Sequence, residues 1–343
     1  MKVLQRALIA AGVMSLVGAN VARAQSIATE VAVTAGVSTE EISAAATQLR
    51  AFGDIEGGIR YYAEAAWARV SDNSSDAFGA AYPYGNRVQV IEAYGERLFQ
   101  PKRAIVGLRG GRYRTPFGIY SASDHAYTGF LRAPLIRYDN YFALSNNFLE
   151  HGADVVVGIP GLTVETSVST PADVGSAVRP SGLDTVVRAQ GFYGPIIAGV
   201  SRIRTLPYQP ARFARGHAEF TGVDLRWMHN GVQLRGERIT GQPFDGTTTT
   251  GWYADAIVHL VAMGPVTAVA RVERLDYNTV SRFALHMRRQ TVGTRIRILE
   301  GLSAQVNLLH TSGQLAAGEY GPTAVDLGVT YSIRRQTHGA GSR

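Results

Sequence analysis

Arginines and carboxylates recur at every second position in several short runs. Asp224 precedes Arg226, Arg235 precedes Glu237, Arg271 precedes Glu273, and Arg295 precedes Arg297. In an extended chain, residues two apart point the same way, so each pair shares one face. Arg109, Arg188 and Asp255, with Glu165 and Asp326, fall on equivalent polar faces of their own runs. The chemistry such rows could do is electrostatic: rings of Arg around a common space favour anions and rings of Asp or Glu favour cations. A long segment, 116–149, adds Arg132 and Arg137 among Tyr127, Phe130, Tyr138, Tyr141 and Phe142. Aromatic and charged residues mixed in this way suit a packed loop, which could narrow that space or cap it from outside. The other reading of the charges is mutual pairing that stiffens a wall.

Other chemistries find less support. The eight histidines (His125, His151, His217, His229, His259, His286, His310 and His338) are scattered, and none forms a metal-binding i, i+4 pair with an intervening Glu. There is no G-x-S-x-G elbow. Gly107-x-x-Gly110-Gly111 lacks the Lys-Ser/Thr ending of a phosphate-binding loop and leads into Pro116 rather than a helix. No catalytic residue, metal or cofactor is expected, although a Ser–His pair built across strands would leave no trace in sequence.

The elements that must position the charges show a rhythm. Fourteen strand-like runs are expected: 53–70, 87–99, 103–115, 150–159, 162–169, 183–193, 196–205, 216–229, 232–240, 251–263, 266–275, 284–299, 302–311 and 323–334. Tight connections at Gln100-Pro101-Lys102, Pro160-Gly161, Gly194-Pro195, Asn230-Gly231, Gly264-Pro265 and Glu300-Gly301 alternate with long ones. One smooth rim and one elaborated rim are the layout of an all-β, transmembrane, antiparallel up-and-down barrel with short periplasmic turns and long outer loops. Most runs reach the roughly 9–11 residues a tilted strand needs to cross hydrocarbon. Val325, Leu327, Val329, Tyr331 and Ile333 share one face of the last run, opposite Asp326, Gly328, Thr330, Ser332 and Arg334. An Arg facing lipid at mid-depth costs about 2–4 kcal/mol, so the charged faces should line a lumen. Facing stays open for 196–205, where Arg202 and Arg204 share a face with Ile196, Ala198 and Val200. A soluble β-sandwich also alternates, but with shorter strands and no strict short–long order.

The chain begins with Lys2 and Arg6, an apolar run Ala7–Val21, and Ala22-Arg23-Ala24, the pattern of a cleaved export signal over 1–24. Its loss would lower the formal charge from +7 to about +4, which does not argue for nucleic acid. Cysteine is absent, so an exported chain would draw its stability from a large sheet. Ser38-Thr39-Glu40-Glu41 followed by Ile42–Leu49 reads as a capped short helix within a periplasmic or lumenal segment, 25–52. The barrel itself is expected over 53–335 and a polar tail over 336–343. Only Lys2 and Lys102 are lysine. The Arg bias suggests weak anion preference, or reflects nothing more than a GC-rich genome.

The segment from Gly107 through Arg109-Gly110-Gly111-Arg112 to Pro116-Phe117-Gly118-Ile119-Tyr120 resembles the strand-then-Pro-Phe-Gly element of Gram-negative outer-membrane porins, most of all the phosphate-selective porin O and P group. Gly251-Trp252-Tyr253-Ala254-Asp255-Ala256 and Ala270-Arg271-Val272-Glu273-Arg274-Leu275-Asp276 are similar to that group's paired late strands, as is 237–241 before them. The pattern is spread over roughly 103–335. The resemblance implies a barrel among outer-membrane lipids and lipopolysaccharide, usually a homotrimer. It implies passive diffusion of small hydrophilic solutes, and a loop, here 116–149, folded inward. That group's barrel has about sixteen strands against fourteen here, and its strands commonly end the chain on an aromatic residue, which this polar tail does not. Its lysine-rich constriction has no counterpart, since Lys102 lies in a tight turn, so phosphate specificity does not carry over. A plugged, structural or adhesive barrel and a lipid-modifying enzyme are the alternatives.

Overall fold

The computed structural model describes residues 24–55, 58–71, 88–119, 128–137, 149–171, 182–205, 218–243, 246–260, 264–279, 284–315 and 318–338. The expected export signal, apart from Ala24, lies outside the described residues, as do most of the long connections.

Seventeen strands form one sheet: β1 (Ala24–Ser38), β2 (Ser43–Ile55), β3 (Ile59–Val70), β4 (Gln89–Phe99), β5 (Ile105–Arg114), β6 (Leu149–Ile159), β7 (Leu162–Pro171), β8 (Asp184–Tyr193), β9 (Ile196–Thr205), β10 (Ala218–His229), β11 (Val232–Gln242), β12 (Thr247–Leu260), β13 (Val266–Thr279), β14 (Ala284–Leu299), β15 (Leu302–Leu315), β16 (Gly318–Tyr320) and β17 (Thr323–His338). Each strand pairs antiparallel with the next, β15 continues to β17, and β17 pairs with β1, which closes the barrel. The three-residue β16 only extends one edge of β15. Sixteen strands therefore make the wall, an even number that leaves the start of β1 and the end of β17 on the rim of tight turns.

The all-β up-and-down barrel is as expected, but it starts earlier. Residues 25–52 hold two wall strands in place of a helix, and the expected run 53–70 divides into the end of β2 and all of β3. Ser38 does use its side chain as a cap would, its Oγ accepting from the Glu40 N–H at 3.2 Å. The bond serves a hairpin turn in which Glu41 takes φ 63°. That connection, like 243–246 and 280–283 on the same elaborated rim, spans only four residues, against the strict short–long alternation read from sequence. The polar tail is also shorter than expected, because β17 runs to His338, which pairs with Ser26. The β10–β11 turn shows why the other rim is smooth: Asn230 and Gly231 both take positive φ, 48° and 77°, the two-residue geometry whose twist matches the flanking strands.

Candidate functional site

The wall has inverted polarity. Along β12, Thr249, Tyr253, Asp255 and Ile257 are buried inside, whereas Trp252, Ala254 and Ala256 point out. The inward set elsewhere is largely charged or polar: Arg50, Glu64, Asp154, Arg188, Asp224, Arg235, Glu237, Arg271, Glu273, Arg289 and Asp326 are all buried within the barrel. The outward set is apolar and exposed, including Val155, Val164, Val187, Val200, Leu225, Leu234, Val292, Leu308 and Val329. For β9 this settles the facing: Ser201, Ile203 and Thr205 point in, and Arg202 and Arg204 point out near the elaborated rim, where both approach Glu219.

The segment after β5 turns into the lumen. Phe117 packs inside, the Gly118 N–H donates to Ser201 Oγ at 3.3 Å, and residues 128–137 run along the inner wall. Their backbone is held by side chains from late strands. Asn307 accepts from the Leu131 N–H at 2.8 Å and donates to the Gly129 carbonyl at 2.9 Å. Arg271 donates to the Arg132 carbonyl at 2.9 Å, and Arg289 to the Ala133 carbonyl at 2.6 Å. The Leu135 N–H donates to Glu273 at 2.5 Å. The Arg132 guanidinium grips Asp326 in fork geometry at 2.6 and 2.8 Å, and its Nη2 also reaches Glu40 at 2.7 Å and Ser38 at 2.9 Å. Phe130 lies beneath the Arg271 guanidinium, 4.0 Å from ring centre to carbon.

Beside these polar anchors is an apolar core inside the barrel. Phe117, Ala133, Leu135 and Ile136 pack with the inward residues Val186, Ile203, Ala218, Phe220, Ile239, Leu275 and Tyr277. Two inward glycines make the room. A Cβ at Gly328 would lie 2.5 Å from Leu131 Cδ2, and one at Gly251 would collide with Ile136 Cγ2. Gly251→Val should therefore unseat the 3-10 turn Leu135–Arg137, with overpacking costing about 1–3 kcal/mol. Faster cleavage of this segment by protease in the folded barrel, with the wall itself resistant, is the expected result.

Most residues singled out from sequence face the lumen, and most are paired. Arg109 bonds Asp154 at 3.1 Å and also Glu165, with Tyr94 and Tyr113 within 5.4 Å of its guanidinium. Arg188 bonds Asp224 at 2.8 Å. Asp255 bridges Arg235 at 2.9 Å and Arg271 at 2.6 Å. Glu273 takes Arg289 at 2.7 Å as well as the loop N–H. Glu237 is buried on the inward face of β11. Arg226 lies 3.1 Å from the Gln190 amide oxygen, and Arg295 donates to Ser303 Oγ at 3.1 Å. Arg297 is exposed near the end of β14. The backbone of Arg137 ends the 3-10 turn, and its side chain lies outside the described residues, as do 120–127 and 138–148 of the long loop. Sequence reasoning missed Arg289 and Asn307, which hold the loop, and a second cluster in which Arg50 meets Glu30 at 3.2 Å and Glu64 at 3.4 Å while Arg114 meets Glu92 at 3.1 Å. The signal for Arg50 was present as alternation in β2, concealed by the helix reading. Among the described residues, no group of three or more His, Cys, Asp or Glu is placed to hold a metal ion.

No protein-family model matches the chain, and no curated protein matches it. Solved structures do. Pseudomonas putida OprB superposes with a TM-score of 0.63 at 9% identity, over 90% of this chain and 93% of that one. OmpT, an outer membrane protein of Vibrio cholerae in its trimer form, gives 0.57 at 9% identity, over 90% and 98%. A mutant of Rh. blastica porin gives 0.51 at 12% identity, over 90% and 99%. The likeness is one of fold.

Proposed function

We propose that the chain is an outer-membrane porin of a Gram-negative bacterium, reached after signal-directed export, through which small hydrophilic solutes diffuse passively with weak preference for anions. The observation that carries this reading is the inverted polarity of the wall. An apolar outer surface on this scale exceeds what a soluble monomer exposes, and a charged inner face suits a water-filled channel. The loop containing Phe117–Ile136 would be the constriction. The preference for anions is supported by uneven pairing. Glu30, Glu64, Glu92, Asp154, Glu165, Asp224, Asp255, Glu273 and Asp326 each have an arginine within 3.4 Å. Arg226 and Arg297, by contrast, have no carboxylate partner among the described residues, while Glu96 is an inward carboxylate with no arginine in ion-pair reach there. Kinship with the phosphate-selective O and P group is supported by the place of Pro116-Phe117-Gly118 at the mouth of the inward loop, without phosphate selectivity. A homotrimer is in keeping with the trimer form of the Vibrio cholerae neighbour.

Single-channel recording in a planar bilayer under a KCl gradient tests the reading. Stable ohmic steps with an anion-selective reversal potential are expected, and Arg226→Gln with Arg297→Gln should move that potential toward cations. Cation preference of the parent chain would overturn the selectivity. The apolar core inside the lumen favours a second reading, a closed barrel with a structural role, and folded protein without conductance would select it.

A further inference from the structure

On the outer wall, near the elaborated rim, four outward side chains stand in register across adjacent strands. Arg238 on β11 pairs with Trp252 on β12, Trp252 with Arg274 on β13, and Arg274 with Arg288 on β14. At about 4.8 Å per strand the row spans about 14 Å. It marks a change of surface. Below it, in register, lie Gly236, Ala254 and Val272, with the polar Gln290 beneath Arg288 at the row's end, and above it lie Thr240, Thr250, Asp276 and His286. Arg274 is engaged by Asp276 at 2.7 and 2.9 Å, and Asp276 by His286 at 2.8 Å. Arg238 and Arg288 are exposed and have no ion pair among the described residues. Directly beneath the row is an open trough of about 740 Å³, floored by Gly236, Ala254, Ala256 and Ala270 and flanked by Leu234 and Trp252.

We propose that this row and trough form a specific site for one phosphate-bearing lipopolysaccharide molecule of the outer leaflet, its phosphates on Arg238 and Arg288 and an acyl chain in the trough. The inference rests on the outer-membrane reading, which places the elaborated rim outward. An outward Arg is tolerated only near an interface, where its cost falls to about 0–1 kcal/mol, and a guanidinium there presents its fork to phosphate. Small residues under the row remove side-chain bulk along a path an extended hydrocarbon can follow, and Trp252 can lie with its ring at the boundary of head group and chain. Any barrel is solvated by lipid, but the proposal is of one retained copy per chain.

The test uses the folded full chain in detergent, stripped of lipid and titrated with diphosphoryl lipid A, with retained copies counted by native mass spectrometry. One tight copy per chain is expected. Arg238→Gln with Arg288→Gln should weaken it about tenfold or more, as should dephosphorylating the lipid. Ala254→Phe, which fills the trough and leaves the arginines, should weaken it as well. Heat-resistant electrophoretic migration of each variant confirms folding. Equal binding by the arginine variant, or by the dephosphorylated lipid, overturns the proposal. Conductance separates the two readings: these residues face away from the lumen, so a conducting chain that fails to retain lipid refutes the site alone. A chain that retains lipid without conducting refutes only the channel.

Discussion

Removing residues 122–146 should raise single-channel conductance at least about twofold, because a side-chain-lined constriction limits flow more than the rest of the lumen does. The deleted stretch includes 128–137, whose backbone is anchored to Asn307, Glu273, Arg271 and Arg289 on the inner wall. Leu135 and Ile136 would go, uncovering Val186, Ile203, Ile239 and Leu275 to lumenal water. The shortened barrel should therefore also unfold at a lower temperature. Recording parent and deletion proteins in the same bilayer checks the first effect. An unchanged conductance would place the narrowing elsewhere and count against the loop as constriction.

Loss of one guanidinium should do much of the same. In Arg132→Ala, Asp326 keeps its carboxylate at 0% exposure and loses the arginine that bonds both its oxygens, and Glu40 loses the same partner. Breaking a buried pair by removing one member costs about 3–5 kcal/mol, and here the least costly relief is for the loop to leave its seat and admit water. Larger, noisier conductance and rapid tryptic cleavage within 116–149 are the expected results. Arg132→Lys should fall between, since an ammonium keeps the charge but not the two-pronged contact. A loop as protease-resistant as the parent's would show that the apolar core alone seats it.

How far the sequence revealed this molecule depended on whether neighbouring strands faced one kind of surroundings or two. In β17 the two faces meet apolar and polar surroundings, and alternation identified both strand and facing. In β9 it did not, because Ile203 faces inward onto Phe117 and Ile136 while Arg202 and Arg204 face out at the rim. Apolar residues on both faces were themselves a sign that something covers the lumen side. β1 and β2 were lost to composition: Ala44, Ala45 and Ala46 favour helix locally, and Ser38 mimics a helix cap in a hairpin. Sheet pairing with β17 and β3 overrides that preference. The ion pairs were beyond reach because they cross strands, as Arg188 does to Asp224 or Arg132 to Asp326, and register fixes partners that spacing along the chain cannot. Loop anchoring by Asn307 and Arg289 was hidden for the same reason.

The partners of Arg132 have a consequence for the order of assembly. Glu40 belongs to the first hairpin and Asp326 to the final strand. The inward segment emerges early in synthesis, yet its clamps on β13, β14, β15 and β17 emerge last. Contacts of such long separation form late in folding. The Arg132 clamp can close only when the first hairpin and the last strand have met along β1 and β17, so its closing is a molecular record of closure. Until then Phe117, Leu131 and Ile136 are loose apolar groups on an unfinished sheet, and a chain stalled before its last strand would present them to whatever chaperone attends it.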